Sequence, residues 1–112
     1  MNSASDMLSI TKKEDDLWFK ISGDVDHHAA KEINKRIDTE IFVKRPDTVY
    51  LDLSGVDFMD SSGLWMILGR YRLSTELGSR FCVYHPTDPA SRIIKLSGCE
   101  KMINIIKKKE AK

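Results

Sequence analysis

The stretch Thr48-Val-Tyr-Leu-Asp-Leu-Ser-Gly-Val-Asp-Phe-Met-Asp-Ser-Ser-Gly-Leu-Trp-Met-Ile-Leu-Gly-Arg-Tyr71 changes periodicity partway along its length. Thr48 to Leu53 is rich in β-branched and large apolar residues and predicts a strand. Ser54 to Asp60 reads as a short loop. From about Ser62 to Leu77 the apolar residues recur at helical spacing, and Gly78 suits the left-handed position that stops a helix. Strand, loop and helix in this order make up most of a βαβ crossover, which brings a parallel sheet with helices packed on it.

Upstream, Pro46 and Asp47 interrupt the chain before this strand. Ala30, Ile33, Ile37 and Ile41 lie on one stripe of a helix from about His27 to Phe42, with Asp26 placed to cap it. Leu17, Phe19 and Ile21 alternate with Trp18 and Lys20, which predicts a strand over Leu17 to Ile21. A shorter strand around Met7 to Thr11 precedes it across the charged turn Lys12 to Asp16, and Gly23 ends the pair. Downstream, Arg80 to Tyr84 reads as a strand. Asp88-Pro89 starts a helix with cap first and proline at the first helical position, and Gly98 closes it. Met102 to Ile106 returns as a short strand or a helical turn.

The expectation is one α/β domain over residues 1–112. It has a mixed sheet of four to five strands with an antiparallel edge pair and three to four packed helices. Residues 1–6 and 107–112 are expected to be flexible termini. A chain of 112 residues with 41% apolar and 31% charged residues can bury a single two-layer core. Its 18 Lys and Arg oppose 17 Asp and Glu, which argues against direct nucleic-acid binding, since that needs a basic excess. The longest apolar run, Leu64 to Leu68, is far short of the roughly 20 residues that cross a bilayer, and no signal-peptide pattern opens the chain. No membrane span, no disulfide framework and a soluble, cytoplasmic protein are expected.

The helix after Asp60 carries two apolar stripes. At about 100° per residue, Leu64, Ile67, Leu68 and Tyr71 form one, expected to face the sheet. Met66, Leu73 and Leu77 form a second on nearly the opposite side, covered by a neighbouring helix or left for a partner. Trp65 sits between them, either as a binding anchor or as a shield for its own helix.

Asp60-Ser61-Ser62-Gly63 places two hydroxyls where a parallel strand hands over to a helix, the usual location of functional groups in open α/β sheets. One serine can cap the helix, and the same free N–H groups and helix dipole favour a phosphate. On residues alone, a plain helix start and a phosphate-bearing site both remain open. Gly63 is expected to keep the first turn narrow so that a kinase can reach the preceding hydroxyl. Other candidates are weaker. Cys82 and His85, with His27, His28 and Cys99, make too thin a ligand set for a metal. His27 and His28 read as surface or interface residues, and Asp24 with Asp26 lacks the acceptor strand of a Mg²⁺ site. Lys107 to Lys109 and Lys112 read as a solvated basic terminus. No phosphate loop and no nucleophile–base pair is evident, so no cofactor and no enzymatic activity are expected.

The segment Leu51 to Leu64, continued by Leu68-Gly-Arg-Tyr71, resembles the signature of STAS domains, the family of bacterial anti-sigma factor antagonists. Gly23-Asp-Val-Asp-His-His-Ala-Ala30 is similar to the segment opening the first helix in the sporulation (forespore) branch. Pro89-Ala-Ser-Arg-Ile-Ile-Lys-Leu-Ser-Gly98 resembles the family's third helix. The resemblance covers almost the whole chain. It departs at Trp65-Met66, where relatives often carry small or aliphatic residues. The resemblance implies an antagonist that holds an anti-sigma factor, itself a serine kinase, and thereby releases a sigma factor. Phosphorylation of Ser61 would switch it off, and a metal-dependent serine phosphatase would restore it. Asp60 would neighbour the acceptor and Ser62 would cap the helix. The implied partner face comprises Asp26, Met59, Asp60, Ser61, Ser62, Gly63 and Trp65. A STAS-type scaffold, or a small-ligand or nucleotide-binding module using the same helix start, is the alternative.

Overall fold

The computed structural model of the protein describes residues 4–107, so most of the two segments expected to be flexible lie outside the described residues. Ala4–Met7 form a 3-10 turn that rests on the first helix. The strands are β1 (Leu8–Lys13), β2 (Asp16–Val25), β3 (Thr48–Met59), β4 (Arg80–Tyr84) and β5 (Asn104–Ile106). The helices are α1 (His27–Lys44), α2 (Ser61–Glu76) and α3 (Asp88–Ser97), and a 3-10 turn at Cys99–Lys101 precedes β5.

The five strands stand in the order β1-β2-β3-β4-β5. β1 runs antiparallel to β2 through a turn in which Glu14 takes a positive φ of 55°, and all other neighbours are parallel. Each parallel connection moves one position in the same direction. Right-handed crossovers therefore place α1, α2 and α3 on one face of the sheet. The period-two pattern turns Leu17, Phe19, Ile21, Val49, Leu51, Leu53 and Val83 toward the helices, where all are buried. Ile33, Ile37 and Ile41 of α1, Met66 and Ile67 of α2 and Ile94 of α3 close the core over them. On the opposite face Trp18 stacks on Tyr50, with ring centroids 4.1 Å apart, and meets the edge of Tyr84 at 5.1 Å.

Three differences from the sequence reading have physical causes. First, Ser54 to Met59 is not a loop: β3 continues to Met59. Its second half stays extended because β2 runs beside it to the end, pairing Ser22 with Gly55 and Val25 with Met59 across two register irregularities. Gly55 permits this closeness, since a Cβ there would lie 2.5 Å from Ser22 Oγ. Second, α3 is capped one residue earlier than expected, by Thr87, whose hydroxyl donates not to its own helix but to Val56 O at 2.7 Å. Third, the most buried residues of α2 are Gly63, Met66, Ile67 and Ser74, a line running between the two apolar stripes. Each stripe gives one residue to this line, Ile67 from the first and Met66 from the second, and the rest of each forms a half-buried flank. Tyr71 meets Phe81 edge-on, and Leu73 lies against α1 beside Phe42 and Val43. Of the second stripe, Met66 is fully buried, while Leu73 and Leu77 are partly buried against the core.

A polar seam crosses the α1–α2 contact. Arg70 Nε lies 2.7 Å from Asp38 Oδ1, with the arginine side chain 12% exposed and the carboxylate 40%. Burial pushes the Asp38 carboxyl above its ordinary range and the Arg70 guanidinium below its own, and their mutual attraction offsets each shift only in part.

Candidate functional site

The parallel pairing of β2 with β3 ends at Val25 opposite Met59, so α1 and α2 start side by side at one edge of the helical layer. The Asp60 N–H donates to Val25 O at 3.5 Å, tying the two starts together. Each helix opens with an aspartate in extended conformation. Asp26 Oδ1 accepts the Ala29 N–H at 2.9 Å, and Asp60 Oδ1 accepts the Ser62 N–H at 2.8 Å. A carboxylate is well placed there, because it satisfies a free N–H and faces the positive end of the helix dipole.

Capping by Asp60 corrects the role expected of Ser62. Ser61 and Ser62 are the first two helical residues, so neither hydroxyl is needed to close the helix end. Ser61 is exposed, and among the described residues no hydrogen bond engages its hydroxyl. Ser62 is half-buried and turned toward α1. Of the remaining residues expected on the partner face, Asp26 is exposed and Trp65, one turn beyond Ser61, is 68% exposed.

Met59 and Gly63 are not surface groups. Met59 is 3% exposed and belongs to the core. A Cβ on Gly63 would overlap Met59 Cγ and lie 2.6 Å from its Sδ. Gly63 is therefore small on its inner side, where α2 settles onto the end of β3, and not to clear a path from outside. The pair shapes the site from beneath. Among the described residues no group of three or more His, Cys, Asp or Glu side chains is gathered to hold a metal ion. Cys82 is buried in β4, where the Asn104 amide points to its sulfur at 3.6 Å.

Two residues at the site, Lys31 and Asn34, escaped the sequence reading, which reads His27 as a surface or interface residue without placing it on the partner face. His27, Lys31 and Asn34 line a groove with Ala30, Ser62 and Trp65 between the first turns of α1 and α2. Their spacing of four and then three along α1 was the available signal, since it marks one line down a helix.

Comparison with known proteins agrees with this geometry. The family model described as STAS domain matches residues 7–111, and the chain belongs to that family. An anti-sigma F factor antagonist of Paenibacillus polymyxa is 35% identical over 89 residues, which span 80% of this chain and 76% of that relative. The structure of the anti-sigma factor antagonist SpoIIAA in its unphosphorylated form superimposes with a TM-score of 0.79 at 25% identity, covering 92% of this chain and 89% of that one. The phosphorylated form of SpoIIAA, described as a Bacillus cell fate determinant, matches with a TM-score of 0.73 at 25% identity and covers 92% of both chains.

Proposed function

We propose that this protein is an anti-sigma factor antagonist. Its unmodified form binds an anti-sigma factor that is also a serine kinase, the bound sigma factor is released, and phosphorylation of Ser61 ends the interaction. A serine phosphatase restores the active form. The protein works in the cytoplasm as a binding module and not as an enzyme. The observation that carries this reading is the Ser61 hydroxyl, exposed and unengaged at the first helical position while Asp60 does the capping. The relative and the solved structure named above support the antagonist role, and SpoIIAA is known with and without phosphate.

The chemistry is a transfer of the γ-phosphoryl group of ATP to Ser61 Oγ. ADP leaves, and the hydroxyl proton passes to a base on the kinase. The first N–H groups of α2 tolerate the added phosphate, because the end of a helix favours anions. Docking does not tolerate it. The phosphate brings about −1.5 to −2 charges into the middle of the proposed face, beside the Asp60 carboxylate. Unit charges about 4 Å apart near a protein surface interact by roughly 4 kcal/mol, and each ~1.4 kcal/mol changes affinity tenfold. A partner packed on the neutral hydroxyl must desolvate this charge or leave. No refolding is needed, since bulk and charge at the contact suffice.

Calorimetric titration with the organism's anti-sigma factor tests this reading. Unmodified protein and Ser61→Ala should bind alike, and Ser61→Asp should bind at least about tenfold more weakly. Equal binding by Ser61→Asp, or loss of binding by Ser61→Ala, would contradict the proposed switch.

A further inference from the structure

The groove between the first turns of α1 and α2 has a volume of about 440 Å³ and is open to solvent. Its floor is Ala30, 3% exposed, whose single methyl leaves room that a longer side chain would fill. One wall is Trp65, which presents 68% of its surface to solvent. Its polar lining comes from His27, Lys31, Asn34 and Ser62. Lys31 is exposed and, among the described residues, has no ion-pair partner. His27 is the first residue of α1, at the positive end of that helix. Asn34 Oδ1, one turn deeper, is buried without a hydrogen-bond partner.

We propose that this groove receives an acidic loop of the protein partner. A carboxylate of that loop faces Lys31 and His27, and the aliphatic part of the loop packs on Trp65. The inference rests on the docking reading above and extends the contact from Ser61 onto α1. Charge complementarity selects the occupant, because the Lys31 ammonium in the groove is unpaired whereas carboxylates already cap both helices. The chain's own phosphoserine is not the occupant. Ser62 is the serine that lines the groove, and Ser61 lies about 100° around the helix from it. The arrangement also gives the switch a target. Phosphate on Ser61 adds negative charge next to the place where the partner's carboxylate must sit.

The test is titration of the wild type, Lys31→Glu, His27→Glu and Lys35→Glu with the anti-sigma factor. Far-UV circular dichroism checks each fold, and light scattering checks self-association. Lys35 is the control, exposed on α1 in a separate depression with Arg36, Thr39 and Glu40. Lys31→Glu and His27→Glu should each weaken binding about tenfold or more, and Lys35→Glu by clearly less. A folding defect in one groove variant leaves the other to decide. Losses below about tenfold in the groove variants, or an equal loss in Lys35→Glu, overturn the assignment. So does a change in self-association in place of partner affinity, which would give the groove to a second copy of the chain. If wild-type protein binds no anti-sigma factor, the antagonist reading falls as well, and that result is distinct from selective retention by the variants.

Discussion

Replacing Gly63 by alanine tests how the candidate site is supported. Alanine is the better helix former by about 0.8–1.0 kcal/mol, so an unobstructed position in the first turn of α2 would gain stability from this change. Here the new methyl points at Met59, overlapping Cγ and standing 2.6 Å from Sδ. Met59 is 3% exposed and held among core residues, so it cannot simply swing outward. Overpacking of this kind costs about 1–3 kcal/mol. The penalty outweighs the propensity gain over most of its range, and a net loss of about 1 kcal/mol is expected. Urea denaturation followed by circular dichroism measures it, with the midpoint falling at an unchanged slope. The double variant Gly63→Ala/Met59→Ala should not show the additive loss of its two single changes, because removing the methionine side chain makes room for the methyl. A Gly63→Ala protein as stable as the wild type would show that α2 does not rest on Met59, and the described position of Ser61 would lose its foundation.

Further perturbations separate charge, capping and packing. Ser61→Asp should leave thermal stability unchanged or raise it by about 0.3–1 kcal/mol at low salt, since an anion suits the first turn of α2, even as partner binding falls. A matching loss of stability would mean that the variant acts by unfolding the site. Asp60→Ala should cost about 1 kcal/mol in urea denaturation through loss of the cap, whereas Asp60→Asn, which can still accept the Ser62 N–H, should cost clearly less. Arg70→Met should destabilise by about 1–2 kcal/mol, less than for a fully buried pair because Asp38 is 40% exposed, and the double change Asp38→Leu/Arg70→Met should recover most of that loss. The Asp38 carboxyl is raised in the folded state, so the folded protein holds its proton more tightly than the unfolded chain does. Its contribution to stability is then full below its ordinary value of 3.8 and is lost as pH rises through the folded value. The stability of Asp38→Leu/Arg70→Met relative to wild type should therefore grow with pH across that interval, and a difference that shrinks would reverse the assigned sign.

Much of this architecture is legible in local sequence. Alternation in Leu17 to Ile21, the stripe Ala30, Ile33, Ile37 and Ile41, and the aspartate before His27 each record a short-range rule that packing does not override. Glycines at 78 and 98 take positive φ where helices end, as expected. What local pattern does not carry is long-range pairing. Ser54-Gly55 looks like a turn, and only the register of β2, a crossover away, keeps it extended. The burial of α2 is similar. Its contact line passes through Gly63 and Ser74, which no hydrophobic scale would choose, because two neighbours pack on it from different sides. At the candidate site, the Asp-Ser-Ser run marks where the helix starts but not which residue caps it, since Asp and Ser serve equally well. The groove was hidden because it exists only where Lys31 of one helix meets Trp65 of another.

The central claim concerns one hydroxyl, and phosphorylation measures it directly. Incubating the protein with the organism's anti-sigma factor and ATP, then locating the phosphate by tandem mass spectrometry, should find it on Ser61, with Ser61→Ala left unmodified and Ser62→Ala modified normally. Phosphate on Ser62, or on Ser61→Ala protein at the wild-type level, would contradict the account.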